Sequence, residues 1–197
     1  GIVPDYTLED ARRVYSEYHK KNILSTGVSG FKIDECDGYD KYLWPDHAEF
    51  PSGNSAVTLR QSYGVLCQRV VYDMFRQENK RTYGLVRASN AGASSFPFCV
   101  YNDCYTFSDF LSGICSSAFC GTLWVPEVRD AKTAEEWVRR FQLCTLSPMM
   151  MLNSWATGAK PWKFPQVESI VRDLVFFRKQ MLPYLYNAFH IYNTEGV

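Results

Sequence analysis

The stretch GFKIDECDGYD, residues 30–40, joins a short apolar run to a cluster of acidic side chains. Residues 28–33 are apolar and introduced by glycine, which predicts a strand. Asp34, Glu35 and Asp37 follow directly at its carboxyl end. Because ligands of parallel α/β folds bind where the strands end, this stretch indicates both a fold class and a candidate site.

The rest of the chain alternates between helical and strand-like patterns. Helices are predicted over residues 7–24, 59–74, 108–118, 134–143 and 166–190, and strands over 28–33, 83–86, 98–101, 122–125 and 149–152. Capping pairs mark two of the helix starts, Thr7 with Asp10 and Thr133 with Glu136. The alternation predicts an α/β fold with a parallel sheet, either closed as a barrel or doubly wound.

Composition and charge bound the classes of protein that the chain can represent. It has 197 residues, of which 46% are hydrophobic and 21% charged, which predicts a globular fold. Lys and Arg balance Asp and Glu at 21 each, so neither nucleic acid nor a membrane surface is an expected partner. The aromatic share is 16%, which suits flat faces that stack on sugars or bases.

Several kinds of active site lack a signature in the sequence. The seven cysteines form no CxxC pair, so we expect no metal site and mainly reduced, buried thiols, with one or two disulfide bridges left open as the alternative. His47 and His190 have no acidic or nucleophilic partner nearby in sequence, which leaves a Ser or Cys triad without an anchor. Neither GxGxxG nor GxxxxGK[ST] occurs, so a nucleotide fold is poorly supported.

Polar residues at the predicted strand ends are the candidates for chemistry. Asp34 and Asp103 are 69 residues apart, about two βα units, and are expected to face one pocket. Two carboxylates that flank a bond are the minimum equipment for glycoside cleavage. The same pattern also suits helix caps, ion pairs or a divalent metal, and for Glu35 and Asp37 a cap or an ion pair is the favoured interpretation.

Five segments carry motifs whose order matches one enzyme family. They are VPDYTLEDARRVYSEYHKKNILSTGVSGFKIDECDG, RASNAGASSFPFCVYNDCYTFSDFL, CGTLWVPEV, LSPMMMLNSWATGAKPW and VRDLVFFRKQMLPYLYNAF. The first resembles a helix and strand that present a nucleophilic Asp, and the second resembles R-[ST]-x-x-A-G-x-x-R followed by W-x-G-D-N. Together they resemble glycoside hydrolase family 31, the family of α-glucosidases, α-xylosidases and α-galactosidases.

This resemblance implies a mechanism and a fold. Asp34 would be the nucleophile and Asp103 the general acid/base of a retaining, exo-acting α-glycosidase, with no metal or organic cofactor. The substrate-binding residues implied are Arg87, Ser95, Trp124, Glu127 and Asn153. The fold implied is a (β/α)₈ TIM barrel, of which residues 1–197 would form a single-domain part, about strands four to eight. The first strands and the flanking β-sandwich domains would be absent, and we expect the piece alone to be inactive.

Three positions depart from the family pattern. Ser95 stands where the family has a second Arg, Asn153 where it has a His, and Glu127 where it has a loop Asp. Loss of a guanidinium and an imidazole removes charge and opens volume, which changes the sugar that fits. An α-galactosidase or α-N-acetylgalactosaminidase, an α-transglycosylase and a non-catalytic carbohydrate-binding homologue therefore remain alternatives. The sequence leaves the oligomeric state and the compartment open, whether secreted, in the secretory pathway or cytoplasmic.

Overall fold

The computed structural model of the protein describes residues 3–36, 44–87, 92–103 and 105–196. The chain divides into two compact units, Gly1–Val100 and Tyr101–Val197. The first contains helix α1 (Glu9–Asn22), strand β1 (Gly30–Ile33), helix α2 (Ala56–Gln77), strand β2 (Tyr83–Val86) and strand β3 (Phe98–Val100). The second contains helices α3 (Phe107–Phe119), α4 (Ala134–Leu146) and α5 (Glu168–Glu195). Short 3₁₀ turns occupy Leu24–Thr26, Ala93–Ser95 and Pro165–Val167.

The sheet of the first unit is parallel, in the order β1-β2-β3. Gly30 pairs with Tyr83, and Gly84 pairs with Phe98. A Cβ atom at Gly84 would lie 2.4 Å from the carbonyl oxygen of Phe31, so only glycine fits between the strands at this register. The expected parallel sheet is therefore present, and its strand ends share one edge.

Helix α2 packs against this sheet through a row of buried apolar side chains. It begins at the N-cap Ser55, whose hydroxyl accepts from the backbone N–H of Thr58. Val71, Met74 and Phe75 are buried at helical spacing. They form one cluster with side chains from the sheet and its connections, namely Leu24, Val86, Phe96 and Phe98. The core thus fixes the strands whose ends carry candidate residues.

In the second unit, caps and one arginine organise the helices. Thr106 and Asp109 form a reciprocal capping box at the start of α3. Thr133 caps α4 by accepting from the N–H of Glu136, as the sequence predicts. Arg178 of α5 donates to the carbonyl oxygens of Thr145, Ser147 and Pro148 at 2.6–2.9 Å. These three bonds satisfy carbonyls at the end of α4 and tie it to α5.

Two predicted strands are wrong. Residues 122–125 and 149–152 form no extended strand, and Val128 and Leu152 instead make an isolated parallel bridge. Pro126 lacks the N–H that a ladder needs, and the N–H of Met151 lies 2.9 Å from the sulfur of Cys144. The assignment of these segments to barrel strands four to eight, and of the chain to a single domain, stays a prediction.

The predicted capping pair of α1 is also wrong. The helix begins after Leu8, which makes no side-chain cap bond. The hydroxyl of Thr7 donates to Asp5 at 2.6 Å, and Asp10 pairs with Arg13 at 3.0 Å. The Thr7 side chain is therefore engaged by Asp5 and does not cap the N-terminus of α1.

The described cysteines are free thiols. Cys67, Cys99 and Cys144 are buried, Cys36 is half-buried, and Cys115 and Cys120 are exposed. No helix within the described part of the chain is both long and apolar enough to cross a membrane.

Candidate functional site

Asp34 follows β1 directly, at the carboxyl edge of the sheet. Its side chain is 46% exposed, and its Oδ1 accepts from the backbone N–H of Glu35 at 2.9 Å. Lys32 Nζ lies 3.4 Å from Oδ2, and Arg87 Nη1 lies 3.8 Å from Oδ1. Two positive charges therefore lie beside this carboxylate. The structure thus brings together Asp34 and Arg87, which follow adjacent strands.

The turn after Asp34 has an unusual backbone. Glu35 adopts φ 54°, in the left-handed region that side chains other than glycine rarely occupy. The thiol of Cys36 then donates to the carbonyl oxygen of Asp34 at 3.3 Å and lies 3.7 Å from the sulfur of Cys67 on α2. The turn therefore contacts α2 through the thiols of Cys36 and Cys67. Asp37 lies outside the described residues.

Ser95 lies in the 3₁₀ turn Ala93–Ser95, which precedes β3. It is exposed, and its hydroxyl donates to the carbonyl oxygen of Gly92 at 2.6 Å. Its side chain therefore binds its own turn, and its assignment to sugar binding stays a prediction.

Asp103 belongs to the second unit and is exposed. The hydroxyl of Tyr105 donates to Oδ1 of Asp103. The guanidinium of Arg129 lies over the Tyr105 ring, 4.0 Å from its centroid. Burial raises the pKa of Tyr105, and the bond to Asp103 and the charge of Glu127 raise it further, so the hydroxyl keeps its proton.

Glu127 and Asn153 form a buried polar pair in the same unit. Glu127 is 1% exposed, and the amide of Asn153 donates to its Oε1 at 3.1 Å. Oε2 of Glu127 has no hydrogen-bond partner among the described residues. A buried carboxylate oxygen without a donor is costly, and a ligand hydroxyl would satisfy it.

Trp124 is 6% exposed and packs inside the second unit. A Cβ atom at Gly113 of α3 would lie 2.7 Å from its ring, and the ring of Phe110 meets it edge-on at 6.4 Å. The indole is thus part of the packing of α3, and its assignment to sugar binding stays a prediction.

An open groove of about 660 Å³ lies in the second unit. Its lining includes Asp103, Tyr105, Glu136 and Arg140. Arg140 donates to Oε1 of Glu136 at 2.7 and 3.0 Å and to the carbonyl oxygen of Tyr105 at 2.6 Å. The Arg140 bonds are the main cause that lowers the pKa of Glu136, so this lining residue stays a carboxylate.

The sequence does not single out Arg129, which lies over the Tyr105 ring, or Arg140, which donates to the Tyr105 carbonyl oxygen. Both are ordinary basic residues in their segments, and no spacing rule singles them out. No group of three or more His, Cys, Asp or Glu side chains arranged to hold a metal ion occurs within the ranges that the structure describes.

Three solved structures of carbohydrate-active enzymes share the fold of this chain. A family 31 sulfoquinovosidase from E. rectale, complexed with an aza-sugar inhibitor, is 16% identical with a TM-score of 0.70, and the match covers 91% of this chain and 30% of that one. The cycloalternan-degrading enzyme from Trueperella pyogenes is 20% identical with a TM-score of 0.82, covering 98% and 29%. The cycloalternan-forming enzyme from Listeria monocytogenes is 19% identical with a TM-score of 0.80, covering 98% and 20%.

The chain therefore spans less than a third of the length of these structures. None of the curated proteins compared with it matches. The family described as "Glycosyl hydrolases family 31 TIM-barrel domain" matches residues 1–188. The resemblance carried by the five motifs is thereby confirmed, and the protein belongs to glycosyl hydrolase family 31.

Proposed function

We propose that the protein is a retaining, exo-acting α-glycosidase that hydrolyses terminal α-linked sugars through a covalent glycosyl-enzyme. Family membership supports glycoside chemistry in general, and the surroundings of Asp34 carry the proposal. A half-exposed carboxylate at the carboxyl edge of a parallel sheet, flanked by Arg87 and Lys32, suits a nucleophile that must be ionised and reachable.

Asp34 attacks the anomeric carbon, and the glycosidic oxygen leaves with a proton from Asp103. Asp103 then takes a proton from water, which attacks the glycosyl-enzyme and releases the sugar with its original anomeric configuration. Because Asp103 is exposed, the glycosidic oxygen of a substrate can reach it. The hydrogen bond that Tyr105 donates to Asp103 orients the carboxyl group. No step requires a metal or an organic cofactor.

Sugar choice is assigned to Glu127, Asn153 and Ser95. Oε2 of Glu127, which has no hydrogen-bond partner within the described ranges, is an acceptor for a sugar hydroxyl, and Asn153 fixes the carboxylate through Oε1. Ser95 and Asn153 are shorter than the Arg and His of the family pattern, which favours a galactoside or a sugar with an acetamido group at C2 as alternatives to a glucoside. Transfer to a sugar hydroxyl instead of water is the alternative outcome of the same chemistry.

Stereochemistry of the first product tests the mechanism. The full-length protein is incubated with the 4-nitrophenyl α-glycosides of glucose, galactose and N-acetylgalactosamine, and the released sugar is followed by NMR before it mutarotates. We expect the α-anomer to appear first, because two displacements restore the configuration. A β-anomer as the first product would contradict the double displacement, and release of no sugar from any substrate would favour a non-catalytic homologue.

Reversal of two departures from the family pattern tests the specificity assignment. We expect the double variant Ser95→Arg and Asn153→His to change the ratio of kcat/KM on the gluco and galacto substrates by about tenfold or more, because a guanidinium and an imidazole replace two short neutral side chains. The control is Ser25→Arg with Asn187→His, the same chemical changes at exposed positions. An unchanged ratio would remove both residues from sugar recognition.

A further inference from the structure

Tyr105 makes the contact that bears on the chemistry of Asp103. The phenol hydroxyl donates to Oδ1 of Asp103, two residues earlier in the chain. A protonated carboxylic acid has one oxygen that accepts and one that carries the proton. A donor fixed on Oδ1 therefore assigns the acidic proton to Oδ2.

Two arginines hold Tyr105 in place for this contact. Arg129 lies over its ring at 4.0 Å from the centroid, a distance at which a cation is attracted to the aromatic face. Arg140, whose side chain is 8% exposed, donates to the Tyr105 carbonyl oxygen at 2.6 Å. Ring and backbone are thus restrained separately, which limits the rotation of a side chain that is itself only half-buried.

From this geometry we infer that Tyr105, held by Arg129 and Arg140, is a positioning residue that presents Oδ2 of Asp103 to the leaving oxygen. The inference rests on the proposed function, since it requires Asp103 to be the general acid. It assigns to Tyr105 no contact with the sugar. The raised pKa of Tyr105 is in keeping with this role, because the hydroxyl remains a donor at neutral pH.

The test compares substrates that differ in their need for a proton. An α-glycosyl fluoride loses fluoride with little help from an acid, whereas the corresponding methyl α-glycoside needs full protonation of its leaving oxygen. In the full-length protein we expect Tyr105→Phe to lower kcat/KM on the methyl glycoside roughly tenfold, the scale of one lost charge-assisted hydrogen bond. The value on the fluoride should change less than about twofold.

Matched variants separate positioning from folding. Tyr184→Phe removes an exposed phenol hydroxyl from α5 in the same unit and should leave kcat/KM on both substrates unchanged. Arg129→Lys keeps the charge and removes the planar guanidinium, and it should show the same selective loss on the methyl glycoside to a smaller extent. Thermal unfolding of each variant verifies that the fold is retained.

The inference is contradicted by several results that the two substrates can distinguish. Equal losses on both substrates, or no loss on either, would overturn it while leaving the proposed function intact if Asp103→Asn still discriminates between the substrates. Failure of Asp103→Asn to discriminate would overturn the proposed function and this inference together. Should Tyr105→Phe not fold, an Arg129→Lys variant without the selective loss would overturn the role of the Arg129 and Tyr105 pair.

Discussion

We expect Asp34→Asn to lower kcat/KM on every hydrolysed α-glycoside by at least ~10³-fold, the largest effect of any single change in the chain. An amide has the shape of the carboxylate but cannot form the ester bond of a glycosyl-enzyme. The backbone N–H of Glu35 can still donate to the amide oxygen, so the turn after β1 should keep its shape. Binding of the substrate sugar, measured by calorimetry, should persist, because the change removes chemistry and leaves the pocket in place.

The matched control for this variant is Asp10→Asn. Asp10 lies on the surface of α1, where its side chain is 88% exposed and pairs with Arg13. Exposed pairs of this kind contribute little to stability, so activity should be unchanged. Turnover that survives in Asp34→Asn would remove Asp34 from the mechanism. A protein that binds sugar with no turnover even before the change would instead be a binding homologue.

The second large effect is expected for Asp103→Asn, and it depends on the substrate. On a methyl α-glycoside kcat/KM should fall by about 10²–10⁴-fold, the usual contribution of general acid catalysis. On the α-glycosyl fluoride kcat/KM should hardly change, because formation of the glycosyl-enzyme then needs no proton. The kcat on the fluoride should still fall, since the proposed mechanism also requires Asp103 to activate the water that attacks the glycosyl-enzyme.

Azide provides the diagnostic measurement for Asp103→Asn. Azide attacks the glycosyl-enzyme without a general base, so it should restore kcat on the fluoride and give an α-glycosyl azide as product. The matched control is Asp173→Asn, which changes an exposed carboxylate on α5. Its kcat and kcat/KM on both substrates should equal those of the unmodified protein, and azide should not change them. A uniform loss on both substrates without recovery in azide would argue that Asp103 supports the fold and supplies no proton.

The elements with strong periodicity were predicted well because their packing follows from local pattern. Strand β2 has the predicted bounds, Tyr83–Val86, and α2 extends only a few residues beyond its predicted range. Residues 122–125 and 149–152 have apolar patterns typical of strands, but the structure forms no strand there. A strand also needs a partner for its N–H groups, and pattern does not report that the Met151 N–H meets the Cys144 sulfur.

In the candidate site, too, the sequence predicts where residues lie along the fold but not which side chains they contact. Spacing places Asp34 and Arg87 after adjacent parallel strands, and this is enough to bring them within 3.8 Å. Spacing does not reveal that Arg129 covers Tyr105 or that Asn153 donates to Glu127, because these contacts depend on side-chain direction across irregular segments. The resemblance to family motifs implies the roles of these residues, and the structure shows their hydrogen-bond and ring contacts.

The bond between Asn153 and Glu127 also bears on how such a site changes over evolutionary time. Glu127 is almost fully buried, and a substitution that removed the Asn153 amide would leave neither carboxylate oxygen with a donor from the part of the chain that the structure describes. Residues that share a contact have non-additive effects, so neither position can be exchanged freely without the other. If the proposed role of Glu127 and Asn153 in sugar recognition holds, a lineage that changes its sugar would replace the two residues as a pair, and close homologues with different substrates should show them covarying.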